Sequence, residues 1–111
     1  MPKRILIVED QPVVASNYAE ILRVAGFDVV GPAGTVELAL GLIDKERLDG
    51  AVLDTDLVAG CPADPVAEAL LVRGVPFVFV SGSPVAEPYG KFRFVAKPCR
   101  AEDLLRAAKS F

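Results

Sequence analysis

Three short apolar runs constrain this chain most. Arg4–Val8, Ala51–Leu53 and Phe77–Val80 are continuous, rich in β-branched or aromatic residues, and too short to be buried helices. Such runs suit strands covered on both faces, the usual condition of central strands in a parallel sheet. Two of them end in acid: Glu9-Asp10 follows the first and Asp54 follows Ala51-Val52-Leu53. If the intervening segments are helical crossovers, these strands run parallel. Their carboxyl ends then share one edge of the sheet, where open α/β folds bind ligands.

The segments between the runs carry helical spacing. Pro12 fits a first helical turn, and Val13, Val14, Tyr18, Ile21, Leu22 and Ala25 recur at helical intervals until Gly26. Phe27–Val30 reads as a second strand. Thr35 is the expected N-cap of a second helix that carries Val36, Leu38, Ala39, Leu42 and Ile43. A third helix is expected over Ala63–Arg73, a fifth strand over Phe92–Ala96, and a last helix over Ala101–Lys109 with Leu104, Leu105 and Ala108 inward. Between the fourth and fifth strands, Pro84 to Lys91 is only eight residues long and contains Pro84, Pro88 and Gly90. At most one helical turn fits there.

Composition removes several classes of function. A chain of 111 residues with 52% hydrophobic residues fits one compact soluble domain, residues 1–111. Its net charge of -3 and lack of a basic cluster leave out the counterion-release term behind most nucleic-acid affinity. No apolar stretch is long enough to insert into a membrane, and the amino terminus runs straight into a strand, so a cytoplasmic location is expected. Cys61 and Cys99 match no metal-ligand spacing, and the chain has no histidine.

Taken in order, Glu9-Asp10 after the first strand, Asp54 after the third, Ser81 after the fourth and Lys97-Pro98 after the fifth form a constellation that spans the chain. It resembles the signature of the receiver domains of bacterial two-component response regulators. The resemblance implies an α/β, flavodoxin-like (βα)5 three-layer sandwich. Its sheet would be parallel, five-stranded and of order 2-1-3-4-5, here with the fourth helix short or absent. It also implies a CheY-like, stand-alone receiver that takes a phosphoryl group on Asp54 from a sensor histidine kinase or a histidine phosphotransfer protein. Output would be through contact with a downstream protein or through onward phosphotransfer.

The chemistry fits the residue types. Converging carboxylates repel one another, and a hard divalent cation with oxygen ligands, most naturally Mg²⁺, relieves that repulsion. Asp10 and Asp54 are the expected direct ligands, with Glu9 acting through a water; by resemblance, the backbone carbonyl of Asp56 completes the protein ligands. Asp54 is then placed to act as a carboxylate nucleophile. Lys97 would neutralise the phosphoryl oxygens, and the Ser81 hydroxyl would donate to one of them. Also by resemblance, Ser81 and Phe94 form the switch pair, the aromatic turning inward as the hydroxyl moves toward the phosphoryl group.

Each residue has a plainer account. Glu9 and Asp10 could serve the first helix dipole, Asp54 a turn, Ser81-Gly82-Ser83-Pro84 a turn, Lys97 the surface, and Phe94 the core. The chain also departs from the common receiver pattern. Thr55-Asp56-Leu57-Val58-Ala59-Gly60-Cys61-Pro62 lacks the frequent Met-Pro-Gly-type turn and adds an acid at Asp56. Phe77-Val78-Phe79-Val80-Ser81-Gly82 resembles a stand-alone or stress-linked subgroup whose motif reads Phe-Ala-Thr-Gly plus an aromatic, with Val80, Ser81 and Ser83 substituted. Two alternatives stand beside the active receiver. One is a degenerate receiver that binds partners without phosphorylation. The other is a haloacid-dehalogenase-type phosphatase, suggested by Asp54-Thr55-Asp56.

Overall fold

The structure is a computed structural model that describes residues 2–54, 56–58, 61–62, 64–81, 94–96 and 100–111. Its main sheet holds β1 (Arg4–Val8), β2 (Asp28–Ala33), β3 (Gly50–Asp54), β6 (Phe77–Ser81) and β7 (Phe94–Ala96). The order is β2-β1-β3-β6-β7 and every pairing is parallel. Counting these five strands alone, this is the expected 2-1-3-4-5 order, with the direction of winding reversing between β1 and β3.

Helices cover both faces of the sheet. Along β1, Ile5 and Ile7 face one layer with Tyr18, Leu22, Val52, Val78, Val80 and Leu104, the side of α1 (Pro12–Val24) and α4 (Ala101–Lys109). Leu6 and Val8 face the other, with Val30, Leu53, Val66, Leu70 and Phe79, beneath α2 (Val36–Lys45) and α3 (Asp64–Val72). This two-residue alternation, with both faces buried, is why the strand reads as an unbroken apolar run.

Local signals set the helix ends. Pro12 opens α1, where its missing N–H costs nothing, and the chain leaves the helix through Gly26 at φ +94°. Thr35 has an extended backbone, and its Oγ1 accepts a hydrogen bond from the Leu38 N–H at 3.1 Å, as expected of an N-cap. Thr35→Ala is expected to lose about 1 kcal/mol of stability, read as a lower denaturation midpoint at an unchanged slope.

Four details differ from the sequence reading. On α1 the inner positions belong to Ala15, Tyr18, Ala19 and Leu22, while Val13 is 81% exposed and Ala25 also faces out. On α2, Leu38 points outward and Ala39 and Ile43 are buried. The second strand begins at Asp28 rather than Phe27 and continues past Val30 to Ala33. Finally, Asp56–Val58 (β4) pairs antiparallel with Cys61–Pro62 (β5), so a small ribbon stands where a plain loop is expected. The expected short fourth helix over Pro84–Lys91 lies outside the described residues, as do Phe92 and Lys97.

The edge opposite the acids is tied shut. The Phe111 ring packs against Gly50 so closely that a Cβ there would overlap it, and Lys3 Nζ donates to the Phe111 carbonyl. The Arg4 N–H donates to Asp49 Oδ2 at 2.8 Å, and the Arg4 guanidinium pairs with Glu46. Among the described residues, no helix is long and apolar enough to cross a membrane.

Candidate functional site

The register of the sheet builds the site. Val8 of β1 stands beside Leu53 of β3, so the next residues, Glu9 just past β1 and Asp54 at the end of β3, lie side by side at the carboxyl edge of the sheet. Glu9 and Asp54 are each only 3% exposed, whereas Asp10 is half-buried. One carboxylate oxygen from each of Glu9, Asp10 and Asp54 lies within 4.8 Å of the others. Burying such a cluster is costly unless a proton or a cation relieves the repulsion.

Glu9 takes up a proton. Its carboxyl is raised from 4.5 to about 8, first by burial and then by its hydrogen bond to Asp54. A hydrogen bond to Asp10 and the Asp54 charge push the same way, while the bond from the Gln11 N–H pulls it down. At neutral pH Glu9 therefore donates to Asp54, and its Oε2 accepts from the Gln11 N–H at 3.2 Å. Sequence reasoning missed this state. The signal available was three acids converging on one buried edge, one of which must then favour its neutral form.

The plain helix-dipole account of Glu9 is only partly met. Gln11 is the N-cap of α1 and makes no side-chain cap bond, and no acid lies in the first turn. Glu9 instead holds the N–H just upstream of the helix while facing Asp54. Beside the acids, a cleft of about 290 Å³ opens between α1 and the turn after β2, lined by Glu9, Asp10, Pro12, Ala15, Ser16, Pro32 and Gly34.

The remaining expected site residues are placed by their backbones. Val80 is the register partner of Asp54, so Ser81 ends β6 one position farther toward the site. Ser81 in turn pairs with Ala96, the last residue of β7, and Phe94 opens that strand opposite Phe79. Asp56 opens β4 two residues after Asp54. Lys97 lies outside the described residues.

A doubly wound parallel sheet with a carboxylate cluster at its switch point defines the class. All three clustered donors are carboxylate oxygens, the set a hard divalent cation prefers. No family model matches the sequence. The chain is similar to SdrG of Sphingomonas melonis Fr1, with 35% identity, a TM-score of 0.85, and coverage of 98% of this chain and 95% of that one. It is also similar to a CheY-like response regulator receiver domain protein of Methanospirillum hungatei JF-1. That match has 27% identity and a TM-score of 0.86, covering 99% of this chain and 93% of the other. Among curated proteins it is 27% identical over 113 residues to the transcriptional regulatory protein PdtaR of Mycobacterium tuberculosis, covering 96% of this chain. The chain spans only 55%, about half, of that relative's length. It belongs to the CheY-like receiver domains of two-component response regulators. Asp54 ends the third strand of the main sheet in chain order.

Proposed function

We propose that residues 1–111 act as a single receiver domain that accepts a phosphoryl group on Asp54 from a sensor histidine kinase or a histidine phosphotransfer protein. The observation that carries this reading is the convergence of Glu9, Asp10 and Asp54 oxygens within 4.8 Å at the carboxyl edge of β1 and β3. Asp10 and Asp54 would hold Mg²⁺ directly, Glu9 would act through a water, and the Asp56 backbone carbonyl would complete the protein ligands. Bound there, Mg²⁺ supplies the positive charge that lets a phosphoryl group approach three acids.

An Asp54 carboxylate oxygen forms the new P–O bond as the donor's P–N bond breaks, and the electron pair of that bond returns to the donor imidazole. Lys97 neutralises charge on the transferred oxygens, and the Ser81 hydroxyl donates to one of them. Phosphorylation adds about -1.5 to -2 charges, which draws Ser81 toward Asp54 and lets Phe94 turn inward. Output follows by contact with a downstream protein or by onward phosphotransfer, with no direct nucleic-acid binding and no membrane insertion. A cytoplasmic location goes with these partners. The domain turns over no external substrate beyond its own phosphoryl group.

Intact mass after incubation with Mg²⁺ and acetyl phosphate tests the reading. One Mg²⁺-dependent adduct on the wild type, absent from Asp54→Asn, is the expected result. If no adduct forms with acetyl phosphate or with a phosphohistidine donor, the chain is instead a degenerate receiver that binds its partner without phosphorylation.

A further inference from the structure

We propose that the end of β2, Gly31 to Gly34, is a positioning element that holds the Glu9-Asp10 backbone where the three carboxylates meet. The proposal rests on the metal-binding reading above and assigns residues that touch neither the cation nor the phosphoryl group.

The register between β1 and β2 changes just before the acids. Leu6 pairs with Val30, but Val8 pairs with Ala33, so two steps along β1 match three along β2. This added residue is a bulge, a device that re-aims a strand end. Its result is direct: the Ala33 carbonyl accepts the Glu9 N–H at 3.0 Å. Without that partner, a donor on a residue only 3% exposed would be buried without a hydrogen bond.

Gly31 makes the bulge possible. Its φ is +92°, and a Cβ there would lie 2.8 Å from the Ala33 nitrogen and 3.2 Å from the Ile7 carbonyl oxygen. A side chain at this position therefore pushes on the very residue that receives the Glu9 N–H. Gly34 closes the same contact from the other end. A Cβ there would sit 3.8 Å from the Glu9 carbonyl oxygen and 4.0 Å from the Asp10 Cα, in ordinary contact, so a branched side chain would press on the acid pair. Ala33 is itself 1% exposed in the core beneath α2, which fixes the element to the body of the domain.

Gly26 provides the control. Its φ of +94° carries the same left-handed strain, but nothing lies within 4 Å of its Cβ position. Mg²⁺ titration by calorimetry would compare the wild type with Gly26→Ala, Gly31→Ala and Gly34→Val, each at a temperature where circular dichroism shows it folded. Gly26→Ala should lose melting temperature and keep wild-type affinity. Gly31→Ala and Gly34→Val should bind Mg²⁺ about tenfold or more weakly, the range seen when residues supporting metal ligands are changed. In both, the Glu9 amide should also exchange its hydrogen faster.

Wild-type affinity in both Gly31→Ala and Gly34→Val would overturn the proposal. If Gly31→Ala does not fold, Gly34→Val decides alone, because its backbone carries no left-handed strain. A wild type that fails to bind Mg²⁺ would overturn the functional reading itself, and the positioning role with it. That result is distinct from a binding wild type whose variants bind equally well.

Discussion

Asp54→Asn is expected to abolish the phosphoryl adduct while leaving the metal-free protein at least as stable as the wild type. The amide oxygen is a poor nucleophile, so chemistry at this position ends. The fold should survive. Asn has nearly the shape of Asp, its Oδ1 can accept the proton Glu9 donates, and a buried charge at a residue 3% exposed is removed. Glu9 should then ionise more readily, since the Asp54 charge is one of the causes that raise it; burial, the leading cause, keeps it above the usual carboxylate range. Mg²⁺ should lose most of its stabilising effect, which for a single site at a hundredfold excess over Kd is about 2.7 kcal/mol. Intact mass and paired thermal melts with and without Mg²⁺ check both parts. An adduct that persists in the folded variant would place the acceptor elsewhere.

Glu9→Gln should alter the pH dependence of stability more than any other single change at the site. The Glu9 carboxyl is raised from 4.5 to about 8, so between these values the folded protein holds a proton that the unfolded chain releases. Stability from this group is fully present below about pH 4.5 and is lost as pH rises through about 8, with a limiting slope of about 1.4 kcal/mol per pH unit. Glutamine reproduces the protonated acid: its oxygen accepts the Gln11 N–H and its NH₂ donates to Asp54. Urea denaturation from pH 5 to pH 9 should therefore show a flatter curve for Glu9→Gln, with a gain over the wild type that grows to roughly a few kcal/mol by pH 8. Mg²⁺ affinity should fall about 10- to 100-fold, the usual cost of losing a residue that supports a metal site. Parallel curves for the two proteins would show that Glu9 is ionised in the folded wild type.

What could be read from the sequence depended on whether the signal was local. The strand runs were legible because Ile5, Leu6, Ile7 and Val8 bury alternately on two faces, which leaves no polar gap in the text. Thr35 was legible because an N-cap is made within four residues. On α1, Tyr18 and Leu22 were legible as core residues, whereas the buried Ala15 and Ala19 were passed over because a small side chain gives little apolar signal, and Val13 and Ala25, which were counted, face out. The continuation of β2 past Gly31 depends on Val8 and Glu9, distant residues that pair with Ala33 and that no local signal announces.

The site divides in the same way. That Glu9, Asp10 and Asp54 would meet followed from strand ends and parallel topology alone. Which of them carries a proton did not, because desolvation is a property of the packed edge rather than of residue type. The ribbon formed by β4 and β5 was invisible for a related reason. Its pairing of Asp56 with Pro62 and of Val58 with Cys61 is irregular and has no alternating pattern to announce it.

The register of the main sheet also sets how far the proposed acceptor stands from the edge strand. Asp54 is paired with Val80, and Val80 with Val95, so the three residues stand abreast on neighbouring strands. With about 4.8 Å between adjacent strands, the third lies roughly 10 Å from the first. A charge added at Asp54 is therefore two rungs of backbone hydrogen bonds from the strand that carries Phe94. On the reading proposed above, the acceptor and the strand of its aromatic switch partner are thus separated by one strand only, and that strand, β6, is the one that ends in Ser81.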